Sequence, residues 1–166
     1  VPGRMECVGN AGEPLVAVDY AHTPDALEQA LVALRPLAQQ REGALWCIFG
    51  CGGDRDASKR PLMGAIAAKC ADRVVVTSDN PRSEKPEAII AQILLGLPQT
   101  DMVSVQADRG LAIARTLATV ADQDVVLLAG KGHEATQEVA GSKLPFSDRA
   151  HAEQALQARR SGGVRP

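Results

Sequence analysis

Val74-Val75-Val76-Thr77-Ser78-Asp79-Asn80-Pro81-Arg82 reads as a short buried strand that runs into a polar loop. Three β-branched residues in succession favour a strand, and the proline behind them ends it. Open parallel α/β sheets bind ligands beyond the carboxyl ends of their strands. At that end this stretch offers an anion, an amide and a planar cation, Asp79, Asn80 and Arg82. Together they can hold a zwitterion at both of its charges. The competing reading is a solvated turn with a local Asp79 to Arg82 pair, since Ser-Asp and Asn-Pro are common turn formers.

The same strand, loop and helix recur on either side. Upstream, residues 44–49 form an apolar strand, followed by a glycine-rich loop over 50–56 and a helix over 59–70. Earlier still, 5–9 is a short strand, 11–14 a turn, and 15–19 a strand that ends at Tyr20-Ala21-His22-Thr23-Pro24. Thr23 can cap a helix with Pro24 at its first position, and Leu27, Leu31, Leu34 and Leu37 recur at helical spacing to about residue 39. Downstream come a helix over 86–94, a strand over 103–105, a helix over 109–120 and a strand over 125–129. A hairpin-like segment over 137–144 leads to Ser147, the cap of a last helix to residue 159. Strands alternating with helices of about 10 to 15 residues predict βαβ crossovers. The expected fold is a single Rossmann-like α/β domain over 1–160, with a mainly parallel sheet of about six strands and helices on both faces. Residues 161–166 are expected to be a frayed tail. The start at Val1, without Met, predicts a segment of a longer chain.

Composition narrows the function classes. With 45% hydrophobic and 23% charged residues among 166, the chain can build one real core. Eighteen basic against twenty acidic residues, a net charge of -2 and no long basic run argue against a nucleic-acid partner. The aromatics are Tyr20, Trp46, Phe49 and Phe146, too few for base-stacking platforms. No apolar run reaches the ~18 residues of a membrane span, and the first residues lack the pattern of a signal peptide. The chain therefore reads as soluble and cytoplasmic, with no membrane contact. Cys7, Cys47, Cys51 and Cys70 are expected to be reduced. Cys47 and Cys51 have no second pair or close histidine to complete a zinc set, so no metal site is expected.

Gly50-Cys51-Gly52-Gly53 after a strand invites a dinucleotide-fold reading, but the third glycine of G-x-G-x-x-G would fall at Arg55. Small-anion binding survives, through free loop N–H groups beside Arg55, Lys59 and Arg60. Gly130-Lys131-Gly132 is not a nucleotide P-loop, because the upstream glycine would fall at Val125 and the following hydroxyl at Gly132. His133-Glu134 is not a zinc-protease helix, because the second histidine would fall at Gln137. Lys131, His133 and Glu134 nonetheless sit at a strand's carboxyl end, as do Asp19, Tyr20 and His22 in a third loop. His151, on the last helix, reads as a surface residue.

Taken in order, Asp19-Tyr20-Ala21-His22-Thr23-Pro24-Asp25-Ala26-Leu27, Gly50-Cys51-Gly52-Gly53-Asp54-Arg55-Asp56 with Lys59-Arg60-Pro61, Asp79-Asn80-Pro81-Arg82 and Gly130-Lys131-Gly132-His133-Glu134 resemble the C-terminal domain of the Mur ligases. Within that family they are most similar to the diaminopimelate-adding branch, MurE. The motifs span nearly the whole chain, and any one alone would be weak. Asp-Asn-Pro-Arg is that branch's diaminopimelate signature, whose arginine lysine-adding relatives usually lack.

The resemblance implies an ATP-dependent, amide-forming ligase of peptidoglycan synthesis. In the family ATP, with Mg2+, phosphorylates the D-glutamate side chain of UDP-N-acetylmuramoyl-L-alanyl-D-glutamate, and an amino group of meso-diaminopimelate attacks the acyl phosphate. The Walker loop, carbamoylated lysine and magnesium ligands belong to a central domain, and the UDP-sugar mainly to an N-terminal one. Neither is expected in this chain, so the isolated domain should be an inactive monomer with no catalytic residue and no metal of its own. Residue by residue, the resemblance puts diaminopimelate against Arg55, Asp79, Asn80, Pro81, Arg82, Gly130 and Glu134. It turns Arg4, Asp19 and His22 toward ATP when the domains close. The chemistry suits a double zwitterion, with Arg55 and Arg82 for carboxylates and Asp79 and Glu134 for ammonium groups. A stand-alone module that binds an anion or amino acid without catalysis is the alternative.

Overall fold

The computed structural model describes residues 5–162, so Arg4, with its expected turn toward ATP, and residues 163–166 of the expected tail lie outside the described residues. Six strands, β1 (Glu6–Val8), β2 (Leu15–Asp19), β3 (Leu45–Phe49), β4 (Arg73–Val76), β5 (Val103–Val105) and β6 (Val125–Ala129), form one sheet in the order β1-β2-β6-β3-β4-β5. All neighbours run parallel except β1, which pairs antiparallel with β2 at the edge. A separate hairpin joins β7 (Thr136–Val139) to β8 (Ser142–Pro145). Five helices are α1 (Pro24–Gln40), α2 (Lys59–Cys70), α3 (Pro86–Leu94), α4 (Arg109–Thr119) and α5 (Asp148–Arg160).

Side chains alternate across a pleated strand, so a strand buried on both faces must be apolar throughout. In β6, Val125, Leu127 and Ala129 join the core under α1, α2 and α3, while Val126 and Leu128 join the core under α4 and α5. β4 divides the same way, with Val74 and Val76 on the first face and Val75 on the second. The expected helices lie within a residue or two of the observed ones, and their caps explain why. Thr23, Asp108 and Ser147 each accept a backbone N–H from the first turn of α1, α4 and α5. One leucine of the helical spacing falls outside the core: Leu37 is 37% exposed, and Ala38 takes the buried position behind Leu34.

The topology positions the site. From β3 the chain steps outward to β5 with α2 and α3 on one face, and α4 then carries it back over the other face to β6. This reversal sets the loops after β2, β6, β3 and β4 side by side at the carboxyl edge of the sheet, where such sheets bind ligands.

The four cysteines are free. Burial pushes the Cys47 and Cys51 thiols up to about 12, and pushes Cys70 up as well, whereas Cys7 is exposed on the edge strand. Because the thiolate is the reactive form, iodoacetamide at pH 8 should modify Cys7 quickly and Cys47 and Cys51 only after unfolding. Peptide mass mapping of the native and urea-treated chain would check this. No helix of the described residues is long and apolar enough to cross a membrane.

Candidate functional site

A cavity of about 410 Å³ opens at the carboxyl edge of the sheet, lined by Tyr20, His22 and Thr23 after β2, Gly52, Arg55, Asp56 and Lys59 after β3, Asp79, Asn80 and Arg82 after β4, and Gly130 and Glu134 after β6. Six of the seven residues assigned above to the amino-acid site meet there. The seventh, Pro81, is buried and does not reach the cavity. A side chain at position 53 would place its first carbon 1.8 Å from the Pro81 carbonyl oxygen, so only glycine allows the two loops to touch. Gly130 is likewise fixed by its neighbour. Its φ of +115° is open to few other residues, and a side chain there would strike the Asp79 carboxylate.

The glycine-rich loop departs from its expectation as a bed of free N–H groups. Gly53 N donates to Asn80 O, and Asp54 N donates to Glu84. Its glycines admit the neighbouring loop. Arg60 departs too: it is buried, bonded to Glu84, Gln92 and the Gly52 carbonyl, and straps α2 to the loop instead of facing an anion. Lys59 donates to the His22 carbonyl, joining the β2 and β3 loops. Arg55 stays exposed at the rim, bonded to the Asp54 carbonyl.

Asp79 and Arg82 do not form the local pair of a solvated turn. Arg82 adopts φ +54°, a conformation that costs a non-glycine residue ~1 kcal/mol or more. The hairpin holds it there: Arg82 N donates to Glu138 O, and Ala140 N donates to Arg82 O. The Gln137 amide also donates to Asp79 O, and Glu138 N to Asn80 Oδ1. So held, the guanidinium reaches Gly53 O at 2.9 Å and lies 3.9 Å from the Glu138 carboxylate.

Asp79 is buried against two cations. Desolvation pushes its carboxyl above the usual range, Arg109 and Lys131 pull it back, and Glu134 and Asp148 push it up further. Arg109, at the first position of α4, makes a two-pronged pair with Asp148 at 2.8 and 2.7 Å and donates to the Ser78 and Ala129 carbonyls. Those carbonyls belong to the residues just before Asp79 and Gly130. Burial opposes the Arg109 charge, but Asp148, with Asp79 and Glu134, outweighs it and raises the group above its ordinary value.

Asp19 lies in an adjoining hollow of about 290 Å³ that shares Tyr20 and His22 with the first cavity. It accepts the Met5 N–H. The exposed His22 ring meets Tyr20 edge-on, and its Nδ1 lies 3.0 Å from the Tyr20 carbonyl oxygen. His133 is exposed outside both cavities. His151 departs from a plain surface residue: it is half-buried, stacked on Phe146 at 4.2 Å, with Nδ1 2.9 Å from the Ser147 carbonyl oxygen.

Residues 3–132 match the family model described as Mur ligase, glutamate ligase domain. The chain belongs to the Mur ligase family. It is 65% identical over 98% of its length to the UDP-N-acetylmuramoyl-L-alanyl-D-glutamate--2,6-diaminopimelate ligase of Acidovorax sp. (strain JS42). It is 59% identical over 94% of its length to the ligase of the same name from Pseudomonas aeruginosa. A solved structure of a ligase of that name superposes with a TM-score of 0.86 at 42% identity, covering 96% of this chain and 32% of that one. The chain spans about a third of the curated relatives, 32% of the first and 31% of the second.

Three features of this Mur ligase domain are not readable from motif spacing: the Arg109 to Asp148 pair, the inward course of Lys131, and the docking of the β7–β8 hairpin on Arg82. The first left one local trace. A cation at the first position of a helix opposes the helix dipole, and a carboxylate from elsewhere in the chain offsets that.

Proposed function

We propose that this domain holds meso-diaminopimelate and closes over ATP in a ligase that joins the amino acid to UDP-N-acetylmuramoyl-L-alanyl-D-glutamate through an acyl phosphate. The observation that carries the reading is the convergence of Arg55, Arg82, Asn80, Asp79 and Glu134 on one small cavity at the topological reversal of the sheet. Such a mixture of fixed charges suits a zwitterion and no apolar ligand. The names of relatives at 65% and 59% identity support the same amino acid.

Each residue then has a physical task. Guanidinium groups pair with carboxylates in a planar fork, which suits Arg82 and Arg55 to the ligand's carboxylates. Asn80 and Glu134 offer donors and an acceptor for its amino-acid end. Asp19 borders the adjoining hollow and His22 stands where the two cavities meet, which fits a covering role at the nucleotide. In this reading Mg2+ is held by the rest of the ligase. Closure of the domain would exclude water from the acyl phosphate and bring the amine within range.

Two experiments test the reading. Calorimetric titration of the ligase carrying this domain should show meso-diaminopimelate binding ~30-fold or more tighter than lysine, the usual scale for an unpaired buried charge. Equal affinities would overturn it. The 166-residue chain alone, given ATP, the UDP-substrate and meso-diaminopimelate, should release no phosphate and form no amide.

In the full ligase His22→Ala should raise KM for ATP ~5- to 10-fold, the scale of one lost hydrogen bond. KM for diaminopimelate should move less than twofold. The reverse pattern would assign the β2 loop to the amino acid.

A further inference from the structure

Lys131 follows the last strand of the sheet, and its side chain has no exposure at all. A lysine ammonium stays in an interior only when it is paired and hydrogen-bonded. Its three N–H donors face three oxygens: Asn80 Oδ1 at 2.9 Å, Glu134 Oε1 at 3.3 Å and Asp79 Oδ1 at 3.6 Å. Each of these residues lines the cavity, whereas Lys131 does not. The ammonium therefore sits behind the wall and works through it.

Two consequences follow from the geometry. Asn80 Oδ1 accepts from Lys131 and from Glu138 N, so the amide oxygen is fixed inward and the NH2 is turned toward Glu134, 3.5 Å away. Losing Lys131 would leave the Glu138 N–H as that oxygen's one remaining anchor. The second consequence is charge. Asp79, Glu134 and, behind them, Asp148 bring three negative charges, and Lys131 and Arg109 bring two positive, leaving a net charge of -1. Such a wall matches one ammonium group. Without Lys131 two carboxylates would face each other across the same ligand, and one would tend to take up a proton.

We propose that Lys131 is a positioning and specificity residue of the amino-acid site: it orients Asn80 and Glu134 and sets the wall's charge so that one ammonium, flanked by a carboxylate, is accepted. This rests on the diaminopimelate reading above and goes beyond it. The groups that recognise the ligand are themselves held by a cation that never touches it.

The test uses the full ligase. Lys131→Met should raise KM for meso-diaminopimelate roughly tenfold to a hundredfold, the scale of hydrogen bonds to charged groups, with KM for ATP within about threefold. Adding Glu134→Gln to Lys131→Met returns the wall to a net charge of -1. The double variant should therefore be less impaired than the product of the two single effects predicts. A merely structural lysine would disturb KM for ATP as much as KM for meso-diaminopimelate, or lower the melting temperature alone, and either result would overturn the proposal. Should Lys131→Met fail to fold, recovery of folding in the double variant supports the charge balance. If both fail, calorimetry on the unaltered ligase with 2-aminopimelate, which lacks the second ammonium, decides. Binding ~30-fold or more weaker than meso-diaminopimelate is expected, and equal binding overturns the proposal. Arg82→Ala, measured alongside, separates the two claims. If it leaves KM for meso-diaminopimelate unchanged, the diaminopimelate reading fails. If it raises that KM while Lys131→Met does not, only the role of Lys131 fails.

Discussion

Arg82→Ala in the full ligase is expected to lower kcat/KM for meso-diaminopimelate by roughly 30-fold to several thousandfold, the range for removing one partner of a desolvated charge pair. Diaminopimelate differs from lysine by one carboxylate at its far end, and Arg82 is the less exposed of the two guanidinium groups lining the cavity. Its backbone is locked by bonds to Glu138 and Ala140, which alanine retains. The loss should therefore read as lost recognition and leave the melting temperature of the ligase little changed. Arg82→Lys keeps a charge but not the planar fork, so an intermediate loss is expected. Lysine turnover should stay poor in Arg82→Ala, because removing an unpaired cation does not by itself build a lysine pocket. A change in diaminopimelate kinetics within about twofold, only ~0.4 kcal/mol, would remove Arg82 from the site.

The loops and their order were legible because strand-end polarity and helix caps are local signals. Thr23 and Ser147 each act within three residues of themselves, and the apolar runs of β4 and β6 mark strands buried on both faces. What stayed hidden depends on pairing across the chain. Arg109 and Asp148 are 39 residues apart, and Lys131 and Asn80 are 51 apart. No spacing rule joins them. The glycine-rich loop misled for a related reason. Glycines that admit a phosphate and glycines that admit a neighbouring loop look alike in sequence, and here Gly53 sits against Pro81. Arg60 reads as a free cation beside that loop until Glu84, brought in by the β4 loop, is seen to neutralise it.

Breaking the Arg109 to Asp148 pair should be the costliest single change in the fold. Both side chains are fully buried, and the pair bonds through both oxygens while also satisfying the Ser78 and Ala129 carbonyls. Removing one member strands the other as an uncompensated charge, which typically costs ~3 to 5 kcal/mol. Asp148→Asn or Arg109→Met should thus lower the melting temperature of this chain by about 10 °C or more. The single tryptophan, Trp46, bonded to Asp124 inside the sheet, reports the transition by fluorescence. Replacing both residues, as Arg109→Met with Asp148→Leu, should recover part of the loss because no buried charge then remains. Recovery should stop short of full, since the carbonyls before Asp79 and Gly130 keep no donor, a deficit of about 1 to 3 kcal/mol for each buried group. The pair thereby ties stability to the site, because the same guanidinium that joins α4 to α5 fixes the two strand ends that carry Asp79 and Gly130. A single-variant loss under ~1 kcal/mol would show that water or a shifted side chain replaces the pair, and the double variant would then gain nothing over the singles.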